Sequence, residues 1–111
     1  MGTTLAAQII AAHAGREEVR AGEFVEVDVD LVLSNDITAP IAIREFARLG
    51  VERVFDPARV VMVPDHFSPN KDVQSAEQCR AMRLFAREQE LAHYYEVGRM
   101  GIEHVLLPEQ G

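Results

Sequence analysis

The sequence predicts an α/β fold, a three-layer sheet-and-helix domain over residues 1–111. Three observations carry this. Val60-Val61-Met62-Val63 is a continuous apolar run of strand length, the pattern of a strand covered on both faces. Segments with apolar residues at helical spacing lie on either side of it. The connections are short and marked by Gly, Pro, Asn and Asp, as helices alternating with strands require.

In chain order, a first helix covers residues 4–13, with Leu5, Ile9 and Ile10 on one face, Thr3 or Thr4 as N-cap and Gly15 as its stop. After a polar connection, Val25, Val27 and Val29 alternate with Glu26, Asp28 and Asp30, the period of a half-exposed strand. The acidic set is the solvated face of that strand, which runs on into Leu31-Val32-Leu33. Ser34-Asn35-Asp36-Ile37-Thr38 ends it. Thr38 caps a second helix with Pro40 in its first turn, Ile41, Phe46 and Leu49 as its apolar residues and Gly50 at its end. Phe55-Asp56-Pro57 is a turn, and the buried strand after it stops at Pro64. A polar loop, Ser68-Pro69-Asn70-Lys71, leads to a third helix over residues 73–89 with Cys79, Met82, Phe85 and Ala86 as its stripe. Tyr94-Tyr95-Glu96-Val97 is the next strand, Gly98 and Gly101 bracket a loop, and His104-Val105-Leu106-Leu107 precede Pro108. With no terminal capping element, the end at Gly111 reads as a truncation and the domain as incomplete.

Composition removes several function classes. The 48% hydrophobic and 26% charged content belongs to a globular chain, not a disordered one. No run approaches the roughly 18 apolar residues of a membrane helix. The N-terminus lacks the basic start of a secretion signal and reads as folded helix. A net charge of -7 argues against nucleic acid and against anionic membrane surfaces. Cys79 is the one cysteine, so no internal disulfide forms, which fits a reducing, cytoplasmic setting. One thiol also falls short of the set an iron–sulfur cluster requires.

The chemical candidates sit at strand ends. Asp65-His66 directly follows the buried strand, where ligands collect in open α/β sheets. A carboxylate beside an imidazole fixes its tautomer and raises its basicity, which makes a proton-transfer group; the same dipeptide also suits an ordinary turn. Asn35-Asp36 stands before a helix N-terminus, where an amide side chain suits a substrate carboxylate or hydroxyl, yet turn and capping chemistry explains it as well. His104 follows a glycine-punctuated loop, while His13 and His93 read as structural or solvent-facing. The spacing of His66, His93 and His104 matches no compact zinc pattern. Cys79, inside an amphipathic helix, behaves as a small apolar residue.

Three stretches taken together resemble the aconitase superfamily, and within it the 3-isopropylmalate dehydratase large-subunit family. They are Ser34-Asn35-Asp36-Ile37-Thr38-Ala39-Pro40, then Val63-Pro64-Asp65-His66 with Asn70-Lys71-Asp72 downstream, then the run Gly101 to Gly111 that begins Gly-Ile-Glu-His. Their order and spacing agree along essentially the whole chain. The resemblance implies the first part of an aconitase-type domain and a hydro-lyase that isomerises 2-isopropylmalate and 3-isopropylmalate by dehydration and rehydration in leucine biosynthesis. Homoaconitase and 2,3-dimethylmalate dehydratase share the framework, and a non-catalytic binding module would keep the fold without the chemistry. By resemblance, His66 is the acid that protonates the departing hydroxyl, held by Asp65; His104 stands near that hydroxyl; and Asn35 contacts the hydroxy-dicarboxylate substrate. The resemblance also implies a 4Fe–4S cluster in the full-length protein, and a separate small subunit carrying the serine base. The cluster cysteines, the substrate arginines and that serine are not among these residues. The chain alone is therefore expected to hold no cluster, to be inactive and to self-associate through bare surfaces.

Overall fold

The apolar run Val60–Val63 is the central strand, β2, of a three-stranded parallel sheet. Its neighbours are β1 (Val32–Asn35) and β3 (His93–Tyr94), in the order β1-β2-β3, with Val32 opposite Val60 and Val61 opposite His93. This computed structural model describes residues 2–111, which divide into two compact units, one ending at Asp30 and the other spanning Leu31–Gly111. In the larger unit the order is β1, α2 (Ala39–Arg48), a 3-10 turn at Pro57–Arg59, β2, α3 (Val73–Glu88), β3 and α4 (Glu103–Gln110).

Every β2 residue is at most 6% exposed, as a strand covered on both faces requires. Side chains alternate across a strand, so Val60 and Met62 face one way and Val61 and Val63 the other. The Val60–Met62 face carries α2 and α3. Ala39, Val60, Met62 and Met82 form the core there, joined by Ile43, Val54, Phe85, Leu91 and Tyr94. The Phe46 and Phe85 rings meet edge to face, 5.6 Å between centroids. On the other face, Val61 lines a space with Leu107 and Gln110 of α4. Helices on both faces make the three layers that the sequence predicts.

The helix ends follow from local chemistry. The side chain of Asp72 accepts the Ser75 amide proton at 2.7 Å, while Ser75 Oγ accepts from the Asp72 amide, a reciprocal cap that starts α3. Thr38 occupies the N-cap of α2, with Pro40 in the first turn, but its hydroxyl makes no capping bond and turns to Asn35 instead.

Several expectations need correction. In α2 the inward residues are Ala39, Ile43 and Phe46, spaced four and three apart, while Ile41 and Leu49 are exposed. β1 begins at Val32 and includes Ser34 and Asn35, and β3 is two residues long and ends at Tyr94. The Tyr95 amide still bonds to the Met62 carbonyl at 3.1 Å, and beyond it Glu96, paired with Arg83, accepts the Val97 amide proton at 2.9 Å. Residues 103–110 are helical, with Pro108 inside the helix.

The smaller unit contains α1 (Leu5–His13). Thr4 Oγ1 accepts the Ala7 amide proton at 3.2 Å, and the chain leaves the helix through Gly15 at φ 64°, a conformation open to glycine. Only Ala11 of this helix is buried; Leu5, Ile9 and Ile10 are exposed. Residues 25–29 do not form the expected strand. Alternation sets which side chains share a face, but a strand also needs a partner ladder. Here the Asp28 amide bonds to the His13 carbonyl at 3.0 Å instead, and Val27 and Val29 are exposed like their acidic neighbours.

One buried polar side chain ties the larger unit together. Gln89, 2% exposed, accepts from the Val54 amide at 2.9 Å and donates to the Glu52 carbonyl at 3.0 Å. Replacing Gln89 by Leu strands both backbone groups, so Gln89→Leu is expected to lower unfolding free energy by about 1–3 kcal/mol in urea titrations.

Candidate functional site

The carboxyl ends of β1 and β2 lie side by side, since Asn35 stands opposite Val63. The residues just beyond each strand are therefore brought together: Asn35-Asp36 from one and Asp65-His66 from the other, the location at which α/β sheets place their ligands. The N-terminus of α4 supplies a third side.

Asp36 is fully buried. Its Oδ1 accepts the His66 amide proton at 3.1 Å and its Oδ2 accepts the Phe67 amide proton at 2.7 Å. The Cys79 thiol donates to the same Oδ2 at 3.7 Å. These donors compensate a carboxylate removed from water and pin the loop after β2. Asp36 was legible in the sequence only as a turn residue. Nothing in the spacing shows that its side chain turns inward.

Asp65, pinned in that loop, has a side chain 7% exposed. Its Oδ2 accepts the Glu103 amide proton at 2.8 Å, and its Oδ1 lies 2.6 Å from His66 Nδ1. The residue before Glu103 is Ile102, whose side chain cannot cap a helix, so Asp65 satisfies an open amide at the start of α4 from across the sheet. A carboxylate only accepts, so the hydrogen between Asp65 and His66 sits on Nδ1 and leaves Nε2 as the exchanging nitrogen. The imidazole is 40% exposed, and Asp36 Oδ1 lies 3.5 Å from Nδ1. The hydrogen bond to Asp65 holds the His66 pKa above the ordinary histidine value. Burial opposes this, and the charges of Asp65, Asp36 and Glu103 add to it.

Asn35 faces the same side as Val63, toward α4. Its Oδ1 accepts from the Ile37 and Thr38 amides at 3.0 and 3.1 Å and from the Thr38 hydroxyl, so it caps the turn into α2. Its Nδ2 donates to Glu103 Oε1 at 3.0 Å. Glu103, 3% exposed, is the other residue that sequence reasoning missed; an acid opening an apolar helical stretch is its one signal. The His104 side chain is 80% exposed, with Nε2 3.4 Å from Glu103 Oε1, and does not enter the Asp65–His66 contact. His93 is exposed, and His13 pairs with Asp30 at 2.7 Å in the smaller unit.

Asp36, Asp65 and His66 offer ligand atoms within 4.8 Å of one another. Both Asp36 oxygens and His66 Nδ1 are already hydrogen-bonded, so a cation would have to break the bonds that shape the loop. Cys79 does not fit an iron–sulfur cluster. It is 4% exposed, hydrogen-bonded to Asp36 and Asn70, and burial pushes its thiol pKa up, away from the thiolate a cluster needs.

An oriented imidazole at the end of a parallel strand, braced by one carboxylate and surrounded by others, is the chemical centre of this α/β unit. Across all 111 residues the chain is similar to proteins named 3-isopropylmalate dehydratase large subunit. It is 62% identical to the one from Moorella thermoacetica, 59% to the one from Thermodesulfovibrio yellowstonii and 52% to the one from Halothermothrix orenii. The chain spans about a quarter of the length of these curated relatives, 26% of each. No family model matches it.

Two outcomes test this geometry. Asp36→Asn removes one acceptor from the pair of loop amides. It should speed hydrogen exchange at His66 and Phe67 and cost about 1–3 kcal/mol of stability. Asp65→Asn should move the His66 titration midpoint, read by NMR, down toward the ordinary histidine value. Because the folded pKa is raised, the stability linked to His66 is fully present below its unfolded pKa, about 6.5. It is lost as pH rises through the folded value, and Asp65→Asn should diminish that loss.

Proposed function

We propose that this chain carries the proton-donating part of a hydro-lyase active site, in a protein that interconverts 2-isopropylmalate and 3-isopropylmalate in leucine biosynthesis. The observation that carries the reading is the 2.6 Å contact of Asp65 with His66 Nδ1 at the carboxyl end of β2. Identities of 52–62% to dehydratase large subunits support it.

Asp65 holds the Nδ1 hydrogen, so the imidazolium donates from Nε2. Hydroxide is a poor leaving group and water a good one. As the carbon–oxygen bond of the hydroxy-dicarboxylate breaks, its electron pair leaves with oxygen, which takes the Nε2 proton and departs as water, while the serine base of the small subunit takes a proton from the adjacent carbon and that carbon–hydrogen electron pair forms the carbon–carbon double bond. Rehydration runs in reverse, with neutral Nε2 accepting a proton from the attacking water. The raised pKa favours the imidazolium that the first direction needs, and the carboxylates around it stabilise the charged form. Asn35 has one amide hydrogen beyond its bond to Glu103, which this reading assigns to a substrate oxygen, and it assigns the exposed His104, next to Glu103, to the departing hydroxyl.

The same proposal includes a 4Fe–4S cluster ligated outside these residues, a small subunit bearing the serine base and a cytoplasmic location. No described helix is long and apolar enough to cross a membrane. The outer edge of β1 carries no strand among the described residues, with Val32 and Leu33 exposed beside it, and this edge favours self-association of the chain by itself.

In the complete enzyme with its small subunit, His66→Gln should lower kcat for 3-isopropylmalate dehydration by about 10²–10⁴-fold, with KM little changed. A variant with wild-type kcat would remove His66 from the role of acid.

A further inference from the structure

We infer that Glu103 is a positioning residue, which ties Asn35 at the end of β1 to Asp65 at the end of β2 and so fixes where the His66 imidazole stands. This rests on the reading of His66 as the proton donor. The sequence singles out Asn35, Asp65, His66 and His104, and Glu103 is the residue that three of these four meet. Its amide donates to Asp65 Oδ2 at 2.8 Å, its Oε1 accepts from Asn35 Nδ2 at 3.0 Å, and the same oxygen lies 3.4 Å from His104 Nε2.

The Glu103 side chain does more than fill space. Asn35 Oδ1 is held by two amides and a hydroxyl at the start of α2, so its Nδ2 must face Glu103, and a carboxylate accepts there with charge assistance. An apolar side chain would seat α4 without the cost of burying a charge, but it would leave the Asn35 amide unheld. Glu103 Oε1 meets Asn35 and the exposed His104, whereas Oε2 is buried with no hydrogen-bond partner among the described residues. The carboxylate charge acts on its neighbourhood. His66 is faced by Asp36 from β1, by Asp65 from its own loop and by Glu103 from α4, and all three favour the imidazolium.

Glu103→Gln separates geometry from charge, since its amide oxygen can still accept from Asn35. Glu103→Ala removes both. In the 111-residue chain, followed by NMR and thermal melting, Gln should leave the melting temperature near wild type and move the His66 midpoint down. Ala should move it down as well and speed exchange of the Asn35 side-chain amide hydrogens. In the complete enzyme, Gln should shift the alkaline limb of kcat to lower pH and reduce kcat roughly tenfold or more, with KM held. An unchanged His66 midpoint in both variants, with or without a lower melting temperature, would overturn the inference and leave Glu103 a packing residue. An inactive wild-type complete enzyme would sink the hydro-lyase reading instead, and the NMR comparison would still decide whether Glu103 positions His66.

Discussion

The arrangement depends on one buried carboxylate. Asp36 lies with no exposure at the end of β1 and takes two successive backbone amides from the loop after β2. An ionised carboxylate out of water is tolerated only when donors replace its hydration, and here the donors belong to the loop that has to be held. The requirement works in both directions. The charge needs the amides, and the loop, which has left the sheet and lost its ladder partners, needs the acceptor. Once the loop is pinned, Asp65 reaches the start of α4 and His66 has one place to stand.

Asp65 then serves two purposes through its two oxygens. Oδ2 satisfies an open amide at a helix that carries no capping side chain of its own, and Oδ1 orients the imidazole. The carboxylate that seats α4 through one oxygen therefore sets the tautomer of His66 through the other. Stability and proton chemistry share an atom group here. Substitutions at Asp65 act on both, and measurements on them separate only when folding and titration are followed together.

The sequence made the sheet legible where burial dictates composition. The four-residue β2 could be read because a strand covered on both faces has no polar positions, and α3 because its apolar stripe is local. Residues 25–29 misled because alternation is a property of one segment, whereas a strand is a property of two. Ile41 and Leu49 belong to the apolar content of α2 but not to its inner face, since Ile41 falls among Arg44, Glu45 and Arg48 opposite Ala39, Ile43 and Phe46. At the site, Asp65-His66 was visible as an adjacent pair. Asp36 and Glu103 were not, since a turn residue and an acid at a helix start do not record bonds to residues at least 30 positions away.

Those separations bear on how the site comes into being. Asp36 meets His66 across 30 residues, Asp65 meets Glu103 across 38 and Asn35 meets Glu103 across 68. Closing such loops costs entropy that a single hydrogen bond does not return, so none of these contacts persists in the unfolded chain. The neighbouring pair Asp65-His66 can meet early, but the bonds that hold it in place come from distant residues. As the chain emerges during synthesis, Asp36 is available to the loop before α4 exists, and the Glu103 amide that fixes the second Asp65 oxygen is made last.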